Sequence, residues 1–432
     1  MKNDKKIIRS WAFFDWANSA YNLVITSTIF PAYYTIITTT KEHGDQVSFF
    51  GVQFTNTALS NYALSFAYLV MVIALPILSS IADNRGNKKT FMKFFTYMGG
   101  LSCIGLYFFK LDTLEAGIIC FVIAAMGYIG GVLFNNSYLP EIATPDQQDR
   151  VSAKGFAFGY IGSVILQLIC FVFVLKPELF GIVDASFPAR LSFLLVGVWW
   201  IAFAQIPFRN LPSSNVGLRE RSKNVLKSGF QELSKVWNQL STMKFLKLYL
   251  LAFFFYSMGV QTIMLAAAGF GEKTLKLGTS KLILTILIIQ LVAILGAMLM
   301  SYFARKIGNV NVLIFVVLIW IAACVCGYYV ANQYQFFALA ALVGLIMGGI
   351  QSLSRSTYSK HIPENSPDTT SFFSFYDVTE KLAIVIGLFS FAFIEELTGS
   401  MRNSIIALAG FFIIGLVFLL VLKRVEKNLV MI

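Results

Sequence analysis

Asp377, Glu380 and Lys381 crowd one and a half helical turns of an otherwise apolar run. Asp377 and Lys381 are i, i+4 neighbours and Asp377 and Glu380 are i, i+3, so an ion pair and a second acid can share one helix face. An ionised side chain within a membrane is expensive unless it is paired or protonated, and such groups mark ion and substrate pathways. The chemistry open to this trio is proton or solute binding, in which a buried acid takes a proton and a neighbouring Lys helps release it. A fixed structural ion pair is the alternative reading. A second group opens the first apolar run, where Asp15, Asn18, Ser19, Asn22 and Thr26 fall at i, i+3, i+4, i+7 and i+11 and form one polar stripe on a helix. That stripe must face protein or water. Bonds to a neighbouring helix would account for the Asn and Ser positions, whereas a carboxylate at Asp15 points to function. A third group is the turn Ala82-Asp83-Asn84-Arg85-Gly86-Asn87-Lys88-Lys89. An acid at such a helix end can bridge to a neighbouring helix terminus and hold two bundles closed; otherwise the turn is a basic segment that sets topology. The matching turn of the second half, Ala304-Arg305-Lys306-Ile307-Gly308-Asn309, keeps the glycine and the bases but has no acid.

These groups must be positioned by membrane-spanning helices. Of 432 residues, 57% are hydrophobic, 15% aromatic and only 13% charged, against about 25% charge in soluble domains. A water-soluble fold is excluded. Apolar runs of roughly 20 residues also exclude an outer-membrane barrel, whose segments alternate over about 10. Twelve runs are long enough: Phe13 to Thr38, Leu59 to Ile81, Phe91 to Phe109, Ala116 to Leu139, Gly155 to Leu175, Leu191 to Phe208, Phe245 to Phe270, Leu282 to Phe303, Val312 to Val330, Phe336 to Tyr358, Phe372 to Ile394 and Ser404 to Leu422. The expected organisation is an N-terminal six-helix bundle over 1–208, a cytoplasmic linker over 209–244 and a C-terminal six-helix bundle over 245–432. Within the linker Leu226, Phe230, Leu233, Trp237 and Leu240 recur at helical spacing, with Lys223, Lys227 and Lys235 among the polar positions. This reads as an interfacial amphipathic helix, a bilayer tether or a regulatory docking element. Gly130-Gly131 returns as Gly348-Gly349 and Phe156-Ala157-Phe158 as Phe373-Ser374-Phe375, the mark of parallel repeats that rock about a central site.

Of the 34 Lys and Arg residues, 25 lie in or beside the amino terminus, the even-numbered loops and the tail. The odd-numbered loops hold 8, and Lys381 is within a span. Positive charge is retained on the cytoplasmic side, so both termini are expected there, in a multi-pass protein of the bacterial inner (plasma) membrane whose first span is retained. The net charge of +12 therefore reports topology and anionic lipid, not nucleic acid. Cys103, Cys120, Cys170, Cys324 and Cys326 all fall within spans, so neither a disulfide framework nor a metal site is expected. There is no Gly-rich phosphate loop, HExxH or nucleophile elbow, and His43 and His361 fall in loops on opposite sides. Neither an enzyme, with its catalytic residues, nor a cofactor is expected.

The 82–89 turn resembles the signature of the major facilitator superfamily, with Asp83, Gly86 and Lys88 at matching positions and Ser79 in place of its leading glycine. The block Ser10-Trp11-Ala12-Phe13-Phe14-Asp15-Trp16-Ala17-Asn18-Ser19-Ala20-Tyr21 resembles the vacuole-effluxer branch, related to the autophagy-linked amino-acid permease of fungal vacuoles. Asn136 to Pro145 with Arg150-Val151-Ser152, Gln351 to Ser356, and Phe372 to Tyr376 with Lys381 carry the same resemblance. It implies an all-α polytopic membrane protein with twelve transmembrane helices in two parallel six-helix repeats, the major facilitator fold. The implied activity is secondary active transport of a small solute, an amino acid or similar, by alternating access with protons as the coupling ion. A monomer is expected. On this reading Asn18, Asn22, Asn136, Gln351 and Arg355 bind substrate, Arg355 favouring a carboxylate or another anionic group. Asp15, Asp377, Glu380 and Lys381 couple, and Asp83, Gly86 and Lys88 form the cytoplasmic gate. The spans bearing Asn135 and Asn136, Ser257, Gln261 and Thr262, and Gln351, Ser354, Arg355 and Tyr358 are, with the first, those that this fold places around its cavity. An exporter of amphiphilic compounds and a non-transporting receptor or scaffold of the same fold are the competing readings; a channel is disfavoured by the absence of a filter sequence or charge ring.

Overall fold

A computed structural model describes residues 2–40, 44–182, 184–213, 225–364 and 366–430. The first span is not one uniform α-helix. It opens as α1 (Lys5–Ala20), where the Asp4 carboxylate accepts from the Lys6 and Ile7 amides. Those amide bonds hold the Asp4 carboxyl below its ordinary value. The rod then widens into a nine-residue π-helical stretch, Tyr21–Ile29, and resumes as α2 (Phe30–Thr38). Local chemistry favours the wider turn. Ser27 donates to the Asn22 carbonyl and Thr28 to the Leu23 carbonyl, each five residues back, and Pro31 in the first turn of α2 has no N–H to continue the ladder.

Beyond α2 a short hairpin, β1 (Gln46–Phe49) and β2 (Val52–Thr55), pairs antiparallel around Phe50-Gly51. Both turn residues have positive φ, 47° and 82°, which glycine tolerates and a phenylalanine rarely adopts. The remaining helices are α3 (Asn56–Arg85), α4 (Lys88–Gly105), α5 (Leu114–Asn136), α6 (Leu139–Ile142), α7 (Pro145–Leu175), α8 (Phe187–Asn210) and α9 (Val225–Thr242). They continue with α10 (Lys244–Lys273), α11 (Thr279–Ile307), α12 (Asn309–Tyr329), α13 (Gln333–Lys360), α14 (Thr369–Thr398) and α15 (Met401–Val430). Among the described residues nine helices are long and apolar enough to cross a membrane on length and hydropathy alone. The other three of the twelve expected segments, the α1–α2 rod, α4 and α14, are helical and pack among those nine. The rod and α14 carry the polar stripe and the charged trio.

In the first half α1 packs on α7 and α8, and α4 on α5 and α8; in the second, α11 packs on α13, and α10 on α14 and α15. The halves meet where α7 crosses α11 and α13, and where α3 runs along α14. Small residues set these approaches, as expected where lipid offers no hydrophobic drive between helices. A Cβ at Gly348 would lie 2.0 Å from the Ala293 carbonyl oxygen, and one at Gly127 would lie 2.5 Å from the Gly99 Cα. Gly127, Gly344 and Gly348 are therefore points where helix backbones touch. The linker helix α9 does not lie free of the bundle. It packs on α3 and α14, with Val236 and Leu240 buried and the Trp237 ring 5.5 Å from that of Phe375, while Phe230 and Trp237 stay more than half exposed. His43, Lys223 and the side chains of Leu226 and Lys227 lie outside the described residues.

Candidate functional site

Between the halves lies a cavity of about 210 Å³. The first span contributes Asp15, Asn18, Ser19, Asn22 and Ser27 to its wall, and α5 contributes Asn136. Facing them are Gln351 and Arg355 of α13 and Asp377, Glu380 and Lys381 of α14. Every residue expected to bind substrate or couple thus lines one space. Thr26 does not. The stripe assumed an α-helical period, and the π turn advances the lining position to five residues after Asn22, which is Ser27. Asn135, Thr262 and Tyr358, expected on cavity-facing helices, are also absent from the wall.

The charged trio pairs differently from the expected i, i+4 contact. Lys381 Nζ lies 2.5 Å from Glu380 Oε2, and Glu380 Oε1 accepts from Gln261 Nε2 on α10 at 3.0 Å. Asp377 is 1% exposed, and neither of its carboxylate oxygens has a hydrogen-bond partner. Asn18 is in the same position, its Nδ2 buried without an acceptor.

All three guanidinium nitrogens of Arg355 are hydrogen-bonded. Its Nη1 donates to Asp15 Oδ2 at 3.1 Å and to Asn136 Oδ1 at 3.0 Å, its Nε to Ser152 Oγ at 3.0 Å and its Nη2 to the Ser152 carbonyl at 2.8 Å. The rings of Trp11 and Phe156 lie 4.7 and 4.3 Å from the guanidinium. A guanidinium that spends its planar fork this way ties α13 to α1, α5 and α7. The expected role as the solute's carboxylate partner is therefore not the geometry of this conformation. Only a residue without a Cβ fits beside the tie: a Cβ at Gly155 would stand 2.4 Å from Asp15 Oδ2. Gln351 likewise crosses the halves, accepting from the Tyr160 hydroxyl at 2.6 Å.

On the face that carries both termini, further links join the halves. Asp83 accepts from the backbone N–H of Thr370 at 3.2 Å and from the N–H and hydroxyl of Ser371 at 2.7 and 2.8 Å. A carboxylate there meets the positive end of α14. Gly86, in the left-handed region at φ +63°, ends α3 and lets α4 begin. Lys88 pairs with Glu141, not with Asp83, over the face of Tyr138, and Glu141 also accepts from Thr369 of α14 at 2.9 Å. The second-half turn lacks an acid, yet Asn309 donates to Asp149 of α7 at 2.7 Å, and Lys360 pairs with the other oxygen of that carboxylate. The missing acid is thus supplied from the opposite half.

Glu141, Asp149, Asn309 and Lys360 were not singled out from sequence. Glu141 lies within the quoted Asn136 to Pro145 block, Asp149 directly precedes Arg150-Val151-Ser152, and the vacant acid position in the second turn was the available signal. The aromatic wall, including Tyr68, Tyr128, Tyr160, Tyr256 and Tyr376, carried none, because aromatic residues are spread through every span.

A family model described as "Vacuole effluxer Atg22 like" matches residues 3–429. The chain is 31% identical to the "Uncharacterized MFS-type transporter YxiO" of Bacillus subtilis (strain 168), over 97% of this chain and 95% of that protein. It is 22% identical to "Autophagy-related protein 22" of Yarrowia lipolytica, over 88% and 78% of the two chains. The fold is similar to the outward conformation of FucP, a major facilitator transporter, with a TM-score of 0.72 and 13% identity over 97% and 99% of the chains. It is also similar to the proton:xylose symporter XylE, with a TM-score of 0.73 and 12% identity over 96% and 94%.

Proposed function

The chain belongs to the Atg22-like vacuole effluxer family of the major facilitator superfamily, and on that premise we propose that it is a proton-coupled secondary transporter of a small amino acid or similar solute. The observation that carries the coupling is Asp377, an unpartnered carboxyl in a cavity between the halves, beside the Lys381–Glu380 pair. An unpartnered carboxyl within a membrane span marks a place for a proton or a cation to bind, and the neighbouring Lys381 can compete with that ligand for its charge. The cavity favours a small solute over the amphiphile reading, since drug-sized ligands fill roughly 300 Å³ or more and this space holds about 210 Å³.

Alternating access follows from the two halves, 1–208 and 245–432, moving about that cavity while 209–244 joins them. The bias of Lys and Arg toward the terminal face supports reading it as the cytoplasmic side, and the protein is read as a monomer of the plasma membrane. In the conformation described, that side is the closed one. The Asp83, Asp149 and Glu141 links and the Asp15–Arg355 tie are the contacts that must part for the cavity to open to it. Asp15 thereby acts with the gate, and Asn18, Asn22, Asn136 and Gln351 supply neutral polar contacts to the solute.

The test is dissipation of a pH gradient in proteoliposomes challenged with amino acids, dipeptides and cationic amphiphiles, comparing wild type with Asp377→Asn and Lys381→Ala. Substrate-dependent proton movement that both variants abolish is expected. Solute flux with an unchanged rate and pH dependence in both variants would remove the coupling assignment, and silence with all solutes would shift weight to the receptor or scaffold reading.

A further inference from the structure

The ionisable side chains of the cavity wall do not balance. Asp15 is paired with Arg355 and Glu380 with Lys381, which leaves Asp377 as the one acidic group without a partner. No other Asp, Glu, Lys, Arg or His lines the space among the described residues; the rest of the polar wall is neutral Asn, Gln, Ser and Tyr. The charged groups that bear on Asp377 are Lys381 and Glu380 on its own helix and Arg355 from α13, with the Tyr358 hydroxyl of α13 also nearby. Both basic groups in that set already hold an acid. Aromatic faces complete the wall, with Phe253 stacked on Tyr376 at 4.2 Å and Tyr256 beside Phe253 at 5.6 Å. One uncompensated carboxyl among neutral donors, acceptors and aromatic faces is the complement of a single positive charge on a small body.

We propose that the cavity binds a solute through a protonated amine, R–NH3+, with Asp377 as its counter-ion, and that the amine displaces the proton which the empty carboxyl carries. The step balances as Asp–COOH plus R–NH3+ giving Asp–COO−···+H3N–R plus H+. No atom is left over and no co-reactant is needed. Because proton and amine compete for one carboxyl, the two ligands exclude each other, and coupling takes the form of exchange across the membrane instead of co-transport. This vectorial consequence rests on the transporter reading above, whereas the binding step does not.

The experiment is therefore a binding measurement on the full chain in detergent, with four probes on one carbon skeleton: leucine, leucinamide, isopentylamine and 4-methylpentanoate. Thermal stabilisation and calorimetry report binding, and a pH indicator in weak buffer reports proton release. The expected result is binding of the three amine-bearing probes with release of protons on mixing, and no binding of 4-methylpentanoate. Asp377→Asn is expected to lose at least about tenfold in amine affinity (about 1.4 kcal/mol) and to release no proton, while Asp377→Glu restores both. Binding of the carboxylate probe without an amine overturns the proposal. So does the absence of binding by all three amines to wild-type protein, or amine binding without proton release. The wild-type series decides the matter even where a variant fails to fold. A protein that binds amines with proton release but moves nothing in vesicles sinks the transporter reading and keeps this one. One that transports solutes regardless of an amine does the reverse.

Discussion

Arg355 and Asp15 are separated by 340 positions in the chain and yet form the closest charge contact between the halves around the cavity. Taking one partner from a buried pair strands the other, at a cost of about 3–5 kcal/mol. Asp15→Asn and Arg355→Gln are each expected to lower the unfolding midpoint in detergent, and the double variant to lose less than the sum. A double-mutant cycle should return a coupling of about 0.5–3 kcal/mol; strict additivity would mean that the contact contributes nothing. Gly155 is a sharper probe of the same tie. A methyl there would sit 2.4 Å from Asp15 Oδ2, 2.7 Å from Arg355 Nη2 and 2.8 Å from the Trp11 ring. Gly155→Ala should destabilise by about 1–3 kcal/mol as an overpacked contact, read as a lowered midpoint.

At the scale of elements, the π-helical stretch decides which of the adjacent hydroxyls Thr26 and Ser27 faces the cavity. Ser27 lines the cavity and Thr26 does not. Ser27→Val is expected to raise the KM for transport severalfold, whereas Thr26→Val leaves it unchanged. The opposite ranking is what an unbroken α-helix would give, so the pair of kinetic measurements tests the winding itself. The linker helix α9 makes a similar argument. Its heptad-like apolar positions were legible as an amphipathic pattern, but the pattern says only that one face wants cover. Packing on α3 and α14 buries Leu240 and also Val236, which lies outside the pattern, while Phe230 and Trp237 of the expected face stay more than half exposed. Trp237→Ala removes the ring beside Phe375 and should speed hydrogen exchange across Val225–Thr242; an unchanged exchange rate would argue that the contact holds nothing in place.

For the whole molecule, the links on the terminal face join the two halves at several points. Asp83 and Asp149 each reach across that face from the first half, one to the start of α14 and the other to Asn309 at the start of α12. Removing the carboxylate charge at the start of α14 gives up about 0.3–2 kcal/mol, which moves a two-state equilibrium by about 1.7- to 30-fold. Asp83→Asn combined with Asp149→Asn is therefore expected to populate a state open on that face. Spin labels at the exposed positions Arg85 and Glu364 should show a longer component in their distance distribution. A single unshifted distance would mean that the closure does not depend on these acids.

What the sequence determined by itself were features set by local period and spacing. Apolar runs of membrane length specify helices, because backbone groups in lipid must bond within their own segment. Polar groups clustered on an apolar helix, such as Asp377, Glu380 and Lys381, must turn inward. The turn bearing Asp83 and Gly86 was legible for the same reason, as a helix end with an acid and a residue free to adopt positive φ. Only the tertiary structure decided which partner each group takes. Lys381 had two acids within reach of its helix face, and Gln261 from α10 lies against the one it pairs with, leaving Asp377 alone. Arg355 could have awaited a solute, but α1, α5 and α7 deliver acceptors to every side of its guanidinium. Asp149 takes up the missing acid's contacts because α7 brings it to Asn309, 160 positions away. Contacts of that range depend on how helices cross, and crossing is fixed by the packing of whole faces, which no single stretch of sequence encodes.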